Sequence, residues 1–277
     1  MPVTSPRRFS VSTWSLHRTI GVTYPDAPGQ ARQGRTETWG AGTVDLLDIP
    51  ATVAAAGIHT LEICHFQIPS REESYLSELR QALNDANVEL FSVLVDAGDI
   101  TDAVHSDRDL KWVGEWIDTA AQLGAKRARV IAGKALPTAE NLALSKRNMR
   151  ELADRAKSQG VRLTTENWFD LLSRPEHVHE LLDSLDGDVG LNLDFGNWGG
   201  ETKYADLAAI APYAESCHAK CAFVAPGEPD SADYRRCLDL SREQNFSGPF
   251  TLIYDGADDN EWAALAIEQE MVRPYIV

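Results

Sequence analysis

The sequence predicts a single-domain (β/α)8 barrel, or TIM barrel. Three observations carry this prediction. Short β-rich runs alternate with longer stretches of helical periodicity along the whole chain, the alternation yields eight strands, and 277 residues is an ordinary length for one such barrel. A hydrophobic content of 43% supplies a large core for one domain spanning 1–277. A doubly wound sheet shares the alternation, because a sequence pattern does not show that the sheet closes.

The elements follow in order. RFSVSTW (8–14), HTLEIC (59–64), VELFSVLVD (88–96) and RARVIAG (127–133) read as the first four strands. VRLTTEN (161–167), DVGLNLD (188–194), AESCHAKC (214–221) and PFTLIYD (249–255) read as the last four. Between them, residues 45–57, 73–87, 109–124, 138–160 and 260–272 carry helical periodicity, and Gly57, Gly124 and Gly160 supply left-handed stops before the next strand. Residues 16–44 hold Gly, Pro, Arg, Tyr and Trp without that periodicity. As the loop after the first strand they would cover the barrel mouth, either as a lid or as a passive extension.

Composition narrows the function. The formal charge is −16, with 42 acidic against 26 basic residues and no block of Lys or Arg, so nucleic acid is a poor partner. The N-terminal stretch lacks the apolar segment of a secretory leader, and no run of eighteen apolar residues follows, which predicts a soluble cytoplasmic protein without membrane association. Four cysteines are sparse for this length and suit a reducing compartment. CHAKC hints at zinc, but Cys217 and Cys221 share a strand side opposite His218, which argues against a Cys-based site.

In a barrel of this kind the active site lies where the strands end. Those ends are rich in polar residues: Glu62 and His65 on strand 2, Asp96 and Asp99 on strand 3, Arg129 on strand 4 and Glu166–Asn167–Trp168 on strand 5. Asp194 ends strand 6, His218 and Lys220 lie on strand 7, and Asp255 ends strand 8. Side chains two apart share a face, so Asn192 pairs with Asp194 and His218 with Lys220 in facing the axis. Glu166, Asp194 and His218 come from consecutive parallel strands roughly 4.8 Å apart. Two carboxylates and an imidazole can therefore converge on one divalent cation, an O/N set suited to Mn, Mg, Co or Zn. Without a cation, neighbouring buried carboxylates repel and one stays protonated.

Plainer readings stand beside these. Glu166 can pair with Arg129 in a polar layer, His218 can be a hydrogen-bonded core histidine, and Lys220 can pair with Asp194. Trp14, Trp168 and Trp198 sit at or beyond strand ends, as packing residues or as contacts to a sugar. Glu62 and His65 are either a supporting hydrogen-bonded pair or substrate contacts.

LTTENW, VGLNLDFGNW and CHAKCAF, with TLEICHF and the eight-unit layout, resemble the xylose isomerase-like TIM barrels, a sugar isomerase/epimerase family that also includes endonuclease IV. The resemblance spans nearly the whole chain. It implies that Glu166, Asp194 and His218 bind a divalent metal, the same trio that strand geometry brings together. It also implies a sugar, keto-sugar or polyol as substrate, and position at the strand ends makes Trp14, Glu62, His65, Arg129, Trp168, Asn197 and Trp198 candidate contacts. A homo-oligomer is compatible with it.

One position departs from the family. Its strand-8 glutamate, both ligand and acid/base, corresponds to Ile253 in GPFTLIYDG. Either Asp255, two residues on and on the same strand face, reaches the site, or the cation keeps three protein ligands and fills its open positions with water and substrate. Two-base epimerisation needs groups on both faces of an enediolate, and one is missing here. A single base, Glu166, suffices for aldose–ketose isomerisation or for expelling a β-hydroxyl, with Lys220 or His65 steadying a developing oxyanion and Asp255 within reach of a substrate hydroxyl. Two alternatives remain: a repair endonuclease, disfavoured by seven histidines in all and by the charge, and a barrel that binds sugar without catalysis.

Overall fold

The computed structural model describes residues 6–257 and 259–276, so residues 1–5 of the N-terminal stretch lie outside it. Eight parallel strands close into a barrel: β1 (Arg8–Ser12), β2 (Thr60–Cys64), β3 (Glu89–Val95), β4 (Arg127–Val130), β5 (Arg162–Glu166), β6 (Gly190–Asp194), β7 (Ala214–Lys220) and β10 (Pro249–Ile253). Closure settles the barrel against the doubly wound sheet. A small antiparallel pair, β8 (Phe223–Ala225) and β9 (Glu228–Pro229), decorates the loop after β7. The helices are α1 (His17–Ile20), α2 (Ile49–Ala55), α3 (Glu73–Asp85), α4 (Ser106–Gln122), α5 (Ala139–Ser158), α6 (Pro175–Ser184), α7 (Lys203–Ile210), α8 (Ser231–Glu243) and α9 (Glu261–Ile276). Among the described residues, no helix is long and apolar enough to cross a membrane.

Several strands end earlier than the pattern predicts. Ser12 closes β1 because its hydroxyl accepts from the Trp14 N–H at 3.1 Å and starts a 3-10 turn, Thr13–Leu16. Thr138 and Asp230 cap α5 and α8 with side-chain oxygens. Gly160, at φ +75°, stops the α5 segment as predicted.

Apolar residues of the strands face outward. Leu61, Ile63, Leu163, Leu191, Leu193 and Leu252 are almost fully buried in the layer between strands and helices. The alternate residues, among them Ser10, Glu62, Ser92, Arg127, Thr164, Asn192, Ser216 and Thr251, are buried and polar or charged. Period-2 alternation thus sorts the core outside the barrel and a polar stack inside it. All four cysteines are free and buried.

The 16–44 loop is pinned at its ends. The Glu261 carboxylate accepts from the backbone N–H groups of Arg18 (2.7 Å) and Thr19 (2.9 Å) and from the Thr19 hydroxyl (2.8 Å). Asp26 accepts from the Trp112 indole at 3.1 Å. Beyond these anchors Trp39 packs edge-on to Trp14, ring centroids 6.0 Å apart, at the barrel mouth.

Helix α9 buries a carboxyl, opposed only by a backbone contact at Ile253. Glu268 is fully buried and neither of its oxygens makes a well-formed hydrogen bond. Burial, and then the nearby Asp255, push its pKa well above the ordinary 4.5. It stays neutral in the folded chain while its unfolded counterpart ionises, so its contribution to stability is complete below the unfolded pKa and is lost as pH rises. Glu268→Gln is expected to raise the melting temperature at pH 8 by several degrees, on the order of 2 kcal/mol, and to change little at pH 4. Scanning calorimetry at both pH values checks this, and an equal effect at both would show that ionisation is not involved.

Candidate metal centre and active site

Strand register assembles the site. Glu166 ends β5 opposite Asn192 of β6, and Asp194 ends β6 opposite His218 of β7. His218 Nδ1 lies 3.3 Å from Glu166 Oε2 and 3.6 Å from Asp194 Oδ2, and one ligand atom from each residue lies within 4.8 Å of the other two. Atoms bound to one cation at about 2.1 Å stand roughly 3–3.5 Å apart, so the trio fits a divalent ion. No other cluster of this kind occurs among the described residues.

The surroundings fix each group. Asp194 Oδ1 accepts from the backbone N–H groups of Gly196 (2.6 Å) and Asn197 (2.8 Å), and Oδ2 is the oxygen nearest His218. His218 places Nε2 2.8 Å from Glu62 Oε2, the carboxylate–histidine pairing that orients an imidazole for a metal on its other nitrogen. Glu166 accepts from the side-chain amides of Asn192 (3.0 Å) and Asn197 (2.6 Å), and Ser216 in turn donates to Asn192 at 2.8 Å. Arg129 bridges Asp96 at 2.6 Å and Glu166 at 3.2 Å, so the Glu166–Arg129 pairing is present together with the cluster.

These neighbours set the charges. Burial, with Asp194 beside it, raises the Glu166 pKa, although Arg129 and His218 oppose the shift. Burial works against charge on His218, but Glu166 and Glu62 outweigh it and push its pKa up to about 10. Burial likewise disfavours an ionised Asp96, yet Arg129 holds it below the usual carboxylate range. Lys220 resists desolvation through Asp255, 2.5 Å away, and keeps its charge.

A cavity of about 200 Å³ opens over the trio. Of the sequence-predicted residues, Trp14, Arg129, Glu166, Trp168, Asp194, Asn197, His218 and Lys220 line it. Four others do not. Glu62 supports His218 from below. His65 is committed to backbone: its Nδ1 accepts from Asp96 N–H at 3.2 Å, which leaves Nε2–H to donate to Asp26 O at 3.2 Å, and burial lowers its pKa. It therefore ties the 16–44 loop to β3 as a neutral imidazole and does not contact the cavity. Trp198 turns its indole N–H to Leu172 O at 3.1 Å and lines a separate surface groove. Asp255 pairs with Lys220 instead of joining the cluster.

Ser12, Cys64, Phe66, Leu94 and Asp96 also line the cavity, as does Ile253. Cys64 shares a strand face with Glu62, which period-2 reasoning can find. Phe66 lies in a 3-10 turn, His65–Gln67, with no periodic signal. Beside Trp168, Phe169 holds φ +57° and ψ 177°, a conformation sparsely populated outside glycine, with the two rings stacked at 4.3 Å. A larger groove of about 600 Å³ lies at the opposite, N-terminal end of the barrel, where Arg8 and Arg80 are taken up by Glu89 and Glu73. Conservative barrel logic assigns that end to stability.

Fold and site together define a (β/α)8 barrel of the enzyme type, with its polar groups gathered at the C-terminal mouth. The chain belongs to the xylose isomerase-like TIM barrel family, which it matches over residues 50–274. A D-allulose 3-epimerase from Methylomonas sp. superposes with a TM-score of 0.71 at 14% identity, covering 99% of this chain and 100% of its own. A xylose isomerase-like TIM barrel protein from Mycobacterium smegmatis, solved in complex with magnesium, gives 0.66 at 19% identity over 97% of each chain. A probable 3-DHS dehydratase from Bacillus anthracis gives 0.67 at 14% identity over 96% of this chain and 97% of its own. At these identities the likeness is one of fold. A search of curated proteins by sequence found no match.

Proposed function

We propose that this protein is a divalent-metal-dependent isomerase/epimerase-type enzyme acting on a sugar, keto-sugar or polyol through an enediolate, with Glu166 as the base. The convergence of Glu166, Asp194 and His218 on one point supports this reading most strongly. The magnesium in one structural neighbour and the sugar epimerases among the others agree with it.

Glu166, Asp194 and His218 would hold a divalent ion, which when bound would polarise a substrate carbonyl as a Lewis acid. Glu166, held at the cavity wall by Asn192, Asn197 and Arg129, removes the proton from the carbon next to that carbonyl. It then returns the proton to the neighbouring carbon from the same face. Lys220, kept charged by Asp255, steadies the developing oxyanion. Arg129 restrains the Glu166 carboxylate, while Trp14 and Trp168 wall the substrate. The 16–44 loop, held by Glu261 at Arg18 and Thr19 and by Trp112 at Asp26, acts as a lid over the mouth.

Ile253 favours a second reading on the same site. No acid faces the substrate from the β10 side, so the proton on Glu166 can instead be followed by departure of a β-hydroxyl, which Lys220 protonates to water. That is a keto-sugar dehydratase, a lyase.

Metal content by inductively coupled plasma mass spectrometry tests the reading first. Near-stoichiometric manganese, magnesium, cobalt or zinc is expected after purification without chelator, with at least a hundredfold weaker retention in Asp194→Asn. No ion after incubation with each cation would overturn the proposal. Proton exchange of keto-sugars in D2O, followed by NMR, then separates isomerisation from water loss.

A further inference from the structure

The cavity divides into two arcs. From β3 round to β7 its wall carries the charged groups described above. The remaining contiguous strands, β2, β1 and β10, present Cys64, Phe66, Trp14 and Ile253. Ser12, the one polar lining residue on that arc, has its hydroxyl engaged by the Trp14 N–H and lies 4.0 Å from Cys64 Sγ. Cys64 and Ile253 are 1% and 3% exposed, and their side chains offer a hydroxyl placed against them no partner stronger than a thiol.

A substrate hydroxyl set against Ile253 and Cys64 would exchange water for an aliphatic side chain and a weak thiol partner, whereas a methyl group would lose nothing. Stacking of an ordinary sugar's C–H face needs a broad aromatic surface, and the Ile253–Cys64 part of the wall is aliphatic and small. Building on the keto-sugar reading above, we infer that the substrate is a deoxy sugar of monosaccharide size: adjacent oxygens toward Glu166, Asp194 and His218, and a terminal methyl group against Ile253 and Cys64. The cavity of about 200 Å³ sets the size limit. Ile253 then acts as a specificity residue, filling with a methyl contact the place where a carboxylate would demand a hydroxyl.

Isothermal titration calorimetry with and without bound magnesium tests this, using ketose pairs that differ only in CH3 against CH2OH at C6: L-fuculose with L-tagatose, L-rhamnulose with L-fructose, and 6-deoxy-D-fructose with D-fructose. The deoxy member of at least one pair is expected to bind about tenfold tighter or more. Ile253→Asn should reduce that ratio toward one, and Cys64→Ser, nearly isosteric and checked for folding by circular dichroism, should narrow it. Equal affinities within every pair, tighter binding of the parent sugars, or a ratio untouched by both substitutions would overturn the inference while leaving the keto-sugar reading intact. Absence of binding and turnover for all six sugars would instead overturn that reading, and the inference with it.

Discussion

Glu166→Gln should fold, yet turn over its ketose substrate about 10³–10⁴-fold more slowly than the parent chain. The change preserves shape and removes the carboxylate proposed as the base, which also joins the ligand cluster. General-base catalysis contributes about 10²–10⁴ on its own, and loss of one charge from the cluster weakens the ion as well. The amide also conflicts with its surroundings. Asn192 and Asn197 donate to opposite oxygens of Glu166, and Arg129 lies against one of them. A glutamine has only one acceptor oxygen, so one of these donors must face an NH2 group. Measuring kcat, metal content and circular dichroism together separates the effects. A variant that keeps its ion and its fold but retains turnover within tenfold of the parent would move the base elsewhere, with Lys220 the next candidate.

The barrel was legible because alternation along each strand and helical spacing between strands both survive in the chain. Closure was not, since register between β1 and β10 depends on contacts 241 residues apart in sequence, such as Arg8 beside Pro249. The ligand trio was legible because each member stands at the C-terminal end of a recognisable strand. What side chains do below the mouth was less so. Strand geometry turns Glu62 inward but does not say that it reaches His218 across the barrel rather than the substrate. His65 follows its strand directly, yet the turn that begins there swings the ring to backbone partners on β3 and the 16–44 loop. Asp255 fails to replace the missing glutamate because β10 ends at Ile253 and the chain turns away, leaving the carboxylate to Lys220. The apolar arc needed the spatial order of strands, in which β10 comes to lie beside β1.

The opposite end of the barrel should be where stability is most sensitive. Glu215 is 1% exposed and accepts from Arg127 at 3.0 Å and from Arg162 at 3.1 and 2.6 Å. Arg127 lies over the Phe91 ring at 4.6 Å, so its charge is enclosed between an aromatic face and a carboxylate. Space for that carboxylate comes from Gly190, where a Cβ would stand 2.5 Å from the Glu215 carboxyl carbon. Removing one partner of a buried pair strands the other charge, which costs about 3–5 kcal/mol. Glu215→Ala is therefore expected to lower the melting temperature by roughly 10 °C for a chain of this size. Gly190→Ala should do comparable damage by displacing the carboxylate. Added salt should restore little, because ions do not screen an enclosed pair as they do a surface one. A loss below 1 kcal/mol in Glu215→Ala would mean that Arg127 reaches water when released, as Arg162, with 21% of its side chain exposed, already does. Because this cluster lies at the end of the barrel away from Glu166, a folded Glu215 variant should retain its metal content, which distinguishes a defect of the scaffold from a defect of the site.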